Sequence, residues 1–211
     1  MNCLVFFLDK EGIVLALSMS FVITYFGGFE ALFLMLTFLF LSVLATKYEY
    51  QRKKEMGIYE HERSWENVLA NGIFPTILAV LTNTFGIIPY ICSVAAITAD
   101  KFGSELGVLG GRPFSLLSFK NATPGESGAI SLLGTAMSLV GGLLIGVTSI
   151  VIFNLTPSIA LLVGFAGFLA SIVDTLFGVL EEKGIGTKGT TNFICSVAGG
   201  ILGYLLIPVI S

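Results

Sequence analysis

Charge is what this chain has least of. Asp, Glu, Lys and Arg make up only 12% of its 211 residues, about half the share in a soluble domain. That excludes an ordinary water-soluble fold and leaves no basic surface for nucleic acid. Histidine occurs once, as His61 in a charged stretch. The three cysteines, Cys3, Cys92 and Cys195, are far apart in apolar runs and read as small buried hydrophobes. Neither Cys-x-x-Cys nor His-Glu-x-x-His occurs, so no zinc site is readable. Gly-x-x-x-x-Gly-Lys-Ser is missing too, which excludes a Walker A loop. No internal repeat is evident, so the signature of many inverted-repeat transporters is absent. Met1–Leu8 is apolar, but it runs into Asp9-Lys10-Glu11 without a small-x-small site and is not expected to be a cleaved leader.

What is present is grease. Hydrophobic residues make up 55% of the chain and mean hydropathy is +0.91. The expectation is an all-α integral membrane protein, one polytopic transmembrane helix bundle over residues 1–211. A span needs about 20 mostly apolar residues. Seven stretches qualify: Gly12–Gly27, Phe29–Ala45, Val68–Thr84, Ile87–Leu109, Ala129–Phe153, Pro157–Leu180 and Thr191–Ile210. The fourth carries Asp100 and Glu105 near its end, a place for a break. All eleven Lys and Arg then fall on one side, and the loops Gly27-Gly28, Asn83–Gly86 and Asn154–Thr156 have none. By the positive-inside rule the N-terminus is cytoplasmic and the C-terminus outside. The long loops, at about 46–67, 110–128 and 181–190, face the cytoplasm. The first mixes bases with acids and reads as a solvated amphipathic helix, with Trp65 as an interfacial anchor. The spacings Gly103-x-x-x-Gly107, Gly142-x-x-x-Gly146 and Gly199-x-x-x-Gly203 permit close helix approach, within the bundle or between copies in a homo-oligomer.

Polar residues concentrate at the cytoplasmic ends of the spans. Asn67 and Asn71, four apart, share a helix face. Asp100 and Ser104 share another, with Glu105 beside them and Lys101 able to neutralise one acid. Paired carboxylates beside a membrane need a cation, a base or a proton, and Mg²⁺ held between carboxylates and substrate phosphates fits that need. Lys120 precedes Pro124-Gly125-Glu126-Ser127-Gly128, a turn whose N–H groups can face an anion, and the following helix offers its positive end. Ser171, Asp174 and Thr175 interrupt an apolar span. A carboxylate there normally faces the bundle interior. Asn192, just inside the last span, completes the set.

Together these residues resemble a family. The strings are Asn67-x-x-x-Asn71-Gly72, Thr98-Ala99-Asp100-x-x-x-Ser104-Glu105-x-Gly107, Pro124-Gly125-x-Ser127-Gly128 with Ser131-x-x-Gly134-Thr135, Gly167-Phe168-x-x-Ser171-x-x-Asp174, and Asn192-Phe193. They look like the domain-of-unknown-function 92 family, which includes transmembrane protein 19 and the plant phytyl-phosphate kinase of the vitamin E pathway. The resemblance runs from about Gly12 to the C-terminus. Lys101, Ala129 and Ala170 depart from it.

The resemblance implies a membrane enzyme that phosphorylates a prenyl monophosphate, such as phytyl or geranylgeranyl phosphate, to the diphosphate. A nucleoside triphosphate, CTP by analogy, is the donor. It implies Asp100, Glu105 and Asp174 as Mg²⁺ ligands. Lys120, Pro124, Gly125, Ser127, Gly128 and Ser131 would grip phosphate. Asn67, Asn71, Asn192, Ser104 and Ser171 would orient metal, nucleotide or acceptor. A CTP-dependent cytidylyltransferase, a polyprenol kinase and a cation or lipid-phosphate transporter stand as alternatives. The one-sided polarity argues against transport.

Overall fold

The computed structural model describes residues 9–58 and 65–210; Met1–Leu8, with Cys3, and the loop residues His61 and Arg63 lie outside them. The described chain is almost entirely helical. In order it forms α1 (Lys10–Lys47), α2 (Tyr50–Glu55), α3 (Trp65–Val80), α4 (Thr82–Phe85), α5 (Ile88–Gly107), a 3₁₀ turn (Val108–Gly110), strands β1 (Phe114–Ser115) and β2 (Ala129–Ile130), α6 (Leu132–Phe153), α7 (Pro157–Glu182) and α8 (Lys188–Ile210).

The bundle is built around α5. Every residue from Ile88 to Ala99 is buried, and α1, α3, α6, α7 and α8 pack around it. Its helix opens on Pro89, where the missing N–H costs nothing. Small residues set the spacing of the neighbours. A Cβ on Gly167 of α7 would lie 2.7 Å from the Ala95 Cβ, and one on Gly199 of α8 2.6 Å from the Ala96 Cβ. Gly103 and Gly107 face Gly134 and Ser138 of α6, while Gly142 and Gly146 face Gly164 and Ala160 of α7. All three Gly-x-x-x-Gly spacings are therefore used in seams inside one chain. Two long-range hydrogen bonds lock the arrangement. The Tyr90 hydroxyl donates to Ala31 O at 2.6 Å and the Ser93 hydroxyl to Ser196 O at 2.9 Å.

Among the described residues, four helices are long and apolar enough to cross a membrane: α1, α6, α7, and α8 from Lys188 to Pro208. Their outer faces are apolar and bare, with Phe21, Tyr25, Phe29, Phe33, Phe40 and Val151 all exposed. Lipid, not water, suits such a belt. The stretches expected to be the third and fourth spans fall short of that standard for different reasons. The helix α3 has 16 residues. In α5 an apolar half runs into a polar one, and its jacket of protein spares it contact with lipid. The expected break in the fourth stretch does not occur, since α5 continues through Asp100 and Glu105 to Gly107. The first loop carries a short helix, α2, as expected; a β1–β2 pair (Phe114↔Ile130, Ser115↔Ala129) closes the second; and the third is shorter than expected, since α7 runs to Glu182 and α8 begins at Lys188.

The first two expected stretches form α1, interrupted at Gly28 (φ 83°, ψ 175°), a region that glycine alone occupies without strain. Ala16 and Ser42 border one pocket, as do Ile23 and Met35. A straight helix would hold Ala16 and Ser42 roughly 40 Å apart, so the two halves fold back on each other at Gly28. Asp9 fastens the open end: it caps α1 by accepting from Gly12 N at 2.7 Å and accepts from Trp65 N at 3.0 Å, the start of α3. Gly28→Ala is expected to cost on the order of 1–3 kcal/mol, seen as a lower thermal midpoint of the purified protein in detergent. Ser18→Ala, at an exposed site on the same helix, should leave the midpoint in place.

Candidate functional site

Three helices end their small-residue seams in polar side chains, and those ends meet. On α7 the inward face reads Gly167, Ser171, Asp174, Gly178, spaced by three and four. Gly167 lies against α5, and Gly178 against the Pro124–Gly128 turn. On α8 the same spacing reads Lys188, Asn192, Cys195, Gly199, Gly203, with Gly199 and Gly203 against α5. Asp100 stands one residue past the buried run of α5. Each seam thus aims its polar member into the same space.

Asp100 and Asp174 border one cavity there and lie close enough to act on each other's charge, while the Thr191 hydroxyl beside them donates to Lys188 O at 3.0 Å. Asp174 Oδ1 is buried without a partner. Two facing carboxylates in a low-dielectric bundle repel unless something positive lies between them. An unsatisfied, inward carboxylate oxygen beside a second carboxylate is a donor set that suits a hard divalent cation.

The third expected ligand is absent from that pair. Both Glu105 oxygens are occupied: Oε1 accepts from the Lys101 ammonium at 2.6 Å and from the Thr46 hydroxyl at 2.9 Å, and Oε2 from the Lys53 ammonium at 3.0 Å. Among the described residues no three of His, Cys, Asp and Glu converge as a metal set. Of the three carboxylates expected to hold Mg²⁺, Glu105 is thus engaged by two lysines and a threonine, whereas Asp100 and Asp174 face each other across the cavity. Lys101 finds its assignment here as well. Lys53 is the less expected partner, only 4% exposed and also donating to Ala45 O at 2.9 Å. It moors α2 to the end of α1 and to α5.

Around the acid pair lies a cavity of about 460 Å³. Its walls include Lys53, Ser104, the Pro124–Gly128 turn, Ser131, Ser171, Lys188 and Asn192. The turn is docked one helical turn from Asp174. Gly128 (φ 72°) fits so closely that a Cβ there would lie 2.7 Å from Val179 N. Ser127 N–H in this turn already donates to a carboxylate, Glu182 Oε1, at 2.8 Å. The Ser131 hydroxyl accepts from Gly134 N at 3.0 Å, capping α6, and donates to Gly107 O at 3.1 Å. Ser171 pairs with the Ser138 hydroxyl, joining α7 to α6. Both serines are thus engaged by the scaffold. Ser104 is exposed on the rim.

Lys120 does not border this cavity. It is exposed in the loop between β1 and β2, its carbonyl held by Ser115 N at 2.8 Å. The β pair sets where that loop runs, and it carries Lys120 away from the acids. Asn67 and Asn71 border a second, smaller pocket of about 120 Å³, where the Asn71 amide donates to Asn67 O at 2.9 Å. Most of its wall is apolar and comes from the two halves of α1, with Met19, Ile23, Met35, Phe38 and Leu39. Asp100, Ser104, Lys188 and Asn192 border both spaces. Lys53 and Lys188 are the cations that sequence reasoning did not select. Lys53 is one of three adjacent bases, with nothing in the string to single it out. Lys188 was findable, since it lies four residues before Asn192 on one helix face.

The helical bundle and its lipid-facing belt define an integral membrane protein of the all-α class. The chain belongs to the integral membrane protein family DUF92, whose model matches residues 3–200. It is 38% identical over 205 residues to an uncharacterized membrane protein of Methanocaldococcus jannaschii, covering 94% of this chain and 85% of that one. No solved structure matches it.

The clamp on Glu105 yields a stability prediction. Glu105→Gln leaves Lys53 buried beside a neutral group, which costs about 3 kcal/mol or more. Lys101→Met removes a partner that is better exposed to solvent. In thermal denaturation in detergent, Glu105→Gln should lower the midpoint several degrees further than Lys101→Met.

Proposed function

We propose that the chain is a membrane prenyl-phosphate kinase, transferring the terminal phosphoryl group of a nucleoside triphosphate to a prenyl monophosphate such as phytyl or geranylgeranyl phosphate. CTP is the donor by family resemblance. The observation that carries this reading is the meeting of two unlike spaces: a polar cavity with a carboxylate pair and an anion-facing glycine turn, sharing a wall with an apolar slot. A substrate with a phosphate head and a hydrocarbon tail matches that division. The basic residues would face the cytoplasm, by the positive-inside rule.

The reaction needs position and charge compensation more than covalent chemistry. An oxygen of the acceptor phosphate bonds to the γ-phosphorus, the bond from that phosphorus to the β–γ bridging oxygen breaks, and its electron pair leaves on the nucleoside diphosphate. The acceptor is already an anion, so no strong general base is required. Asp100 and Asp174 would hold Mg²⁺, which supplies neutralisation of the nucleotide's phosphate charge. The Pro124–Gly128 turn and the N-terminus of α6 present N–H groups to the same phosphates. Glu182, now on Ser127 N–H, would yield that donor to the nucleotide. Lys53 and Glu105 hold the floor of the cavity in place. The slot between the halves of α1 and α3 takes the start of the prenyl chain.

The test is direct. Purified protein with Mg²⁺, CTP and geranylgeranyl phosphate should form CDP and geranylgeranyl diphosphate. Release of pyrophosphate would favour a cytidylyltransferase instead, and no turnover of any nucleotide by folded protein would sink the kinase. Asp100→Asn and Asp174→Asn should each lower kcat by two orders of magnitude or more, as expected where electrostatic stabilisation is lost. Lys120→Ala should leave kcat within about twofold, since its side chain lies off the cavity; a loss matching the aspartate variants would restore Lys120 to the site.

A further inference from the structure

Among the described residues, four border both the polar cavity and the apolar slot, and only one of the four, Lys188, carries positive charge. We propose that Lys188, with Asn192 one turn along α8, is the ligand of the acceptor's phosphate, holding the head of the lipid substrate at the mouth of the slot. The inference deepens the prenyl-phosphate reading and rests on it.

The argument begins with the substrate's own asymmetry. A hydrocarbon tail in the α1–α3 slot must leave its phosphate where the slot opens to polar surroundings, and that opening is the wall made by Asp100, Ser104, Lys188 and Asn192. Ser104 is neutral and Asp100 would repel a phosphate. Of the other nearby lysines, Lys53 borders the polar cavity alone and Lys101 the slot alone. Lys188 acts electrostatically on Asp100 across the same space. It also opens a 23-residue helix whose first N–H groups carry partial positive charge. Its flexible four-carbon stem suits a phosphate as a point charge. Asn192 is 8% exposed and adds amide donors from the same face. The unpartnered Asp174 Oδ1 lines the same cavity. Asp100 and Asp174 would hold the Mg²⁺ of the proposed reaction, which would offset carboxylate and phosphate charge on the same side of the slot.

The competing account is that Lys188 only offsets the charge of Asp100, and binding separates the two. Full-length protein in lipid nanodiscs is tested against geranylgeranyl monophosphate and the parent alcohol, geranylgeraniol. Wild type should bind the monophosphate about tenfold or more tightly than the alcohol, as for a charge-assisted contact. Lys188→Met should lose that preference while still binding the alcohol. Lys188→Arg should keep most of it. In turnover, Lys188→Met should raise KM for the prenyl phosphate about tenfold with KM for the nucleotide within about twofold. The same result is read on unaltered protein by acetylating its lysines: the monophosphate, but not the alcohol, should protect Lys188. An unchanged preference in Lys188→Met, a shift in nucleotide KM instead, or equal labelling of Lys188 with both ligands overturns the inference. If Lys188-dependent binding of the monophosphate occurs without diphosphate formation, the kinase reading fails and this one stands. If wild type does not prefer the monophosphate at all, this one fails.

Discussion

Two carboxylates facing each other inside a membrane bundle are the constraint on which the rest of the structure turns. Asp100 and Asp174 come from different helices and meet half-buried at one cavity, with the Oδ1 atom of Asp174 buried and unpartnered. An arrangement of that kind opposes folding unless positive charge is supplied. The chain brings some of it locally. Lys188 lends charge to Asp100, and its own carbonyl accepts from the Thr191 hydroxyl at 3.0 Å. Asp174 Oδ1 keeps no partner among the described residues, and the proposed Mg²⁺ would use it.

The glycine seams make that meeting possible. Helices kept apart by ordinary side chains would place the two acids too far from each other to share anything. With Gly167 against Ala95 and Gly199 against Ala96, α7 and α8 approach α5 at backbone contact, and polar side chains at the seam ends converge. The clamp on Glu105 acts at the same level. Glu105 is a third carboxylate in the wall of that cavity and would add to the repulsion if left uncompensated. Lys53, Lys101 and Thr46 neutralise and fix it, and the same contacts tie the loop helix α2 to the bundle. Stability and charge balance at the cavity are two results of one set of contacts.

How much of this could be read from the string alone follows from what each signal measures. Asp174 and Asn192 stand out because a polar residue inside an apolar span is costly, and their inward placement follows from the helical period shared with the glycines. The reversal at Gly28 was visible as a gap between two apolar stretches. The duty of Glu105 was visible only in part, through Lys101. Its neutralising partners lie at Lys101, an adjacent turn of the same helix, and at Lys53, on a distant element whose three consecutive bases look alike. Lys120 misled for a related reason. Nearness in sequence to a glycine turn is not nearness in space once a β pair redirects the loop between them. Local periodicity carries over to packing, whereas loop side chains take their places from contacts that no local pattern records.

The distribution of polarity bears on what kind of molecule this is. A transporter has to present its site alternately to both sides, and it normally keeps polar groups or broken helices near the midplane. Here α5 is buried and unbroken, with an apolar half and a polar half, and the acids, lysines and glycine turn gather around the polar half. The apolar slot descends from that gathering between the halves of α1, narrow at about 120 Å³ and greasy along most of its wall. A free ion would gain nothing from such a slot. A molecule that is part lipid and part anion would gain from both spaces at once, with its tail aligning its head against the carboxylate pair. In the proposed kinase, burial of the tail would do positioning work at a reacting centre that the tail never touches, which is how binding energy remote from the chemistry is turned into rate.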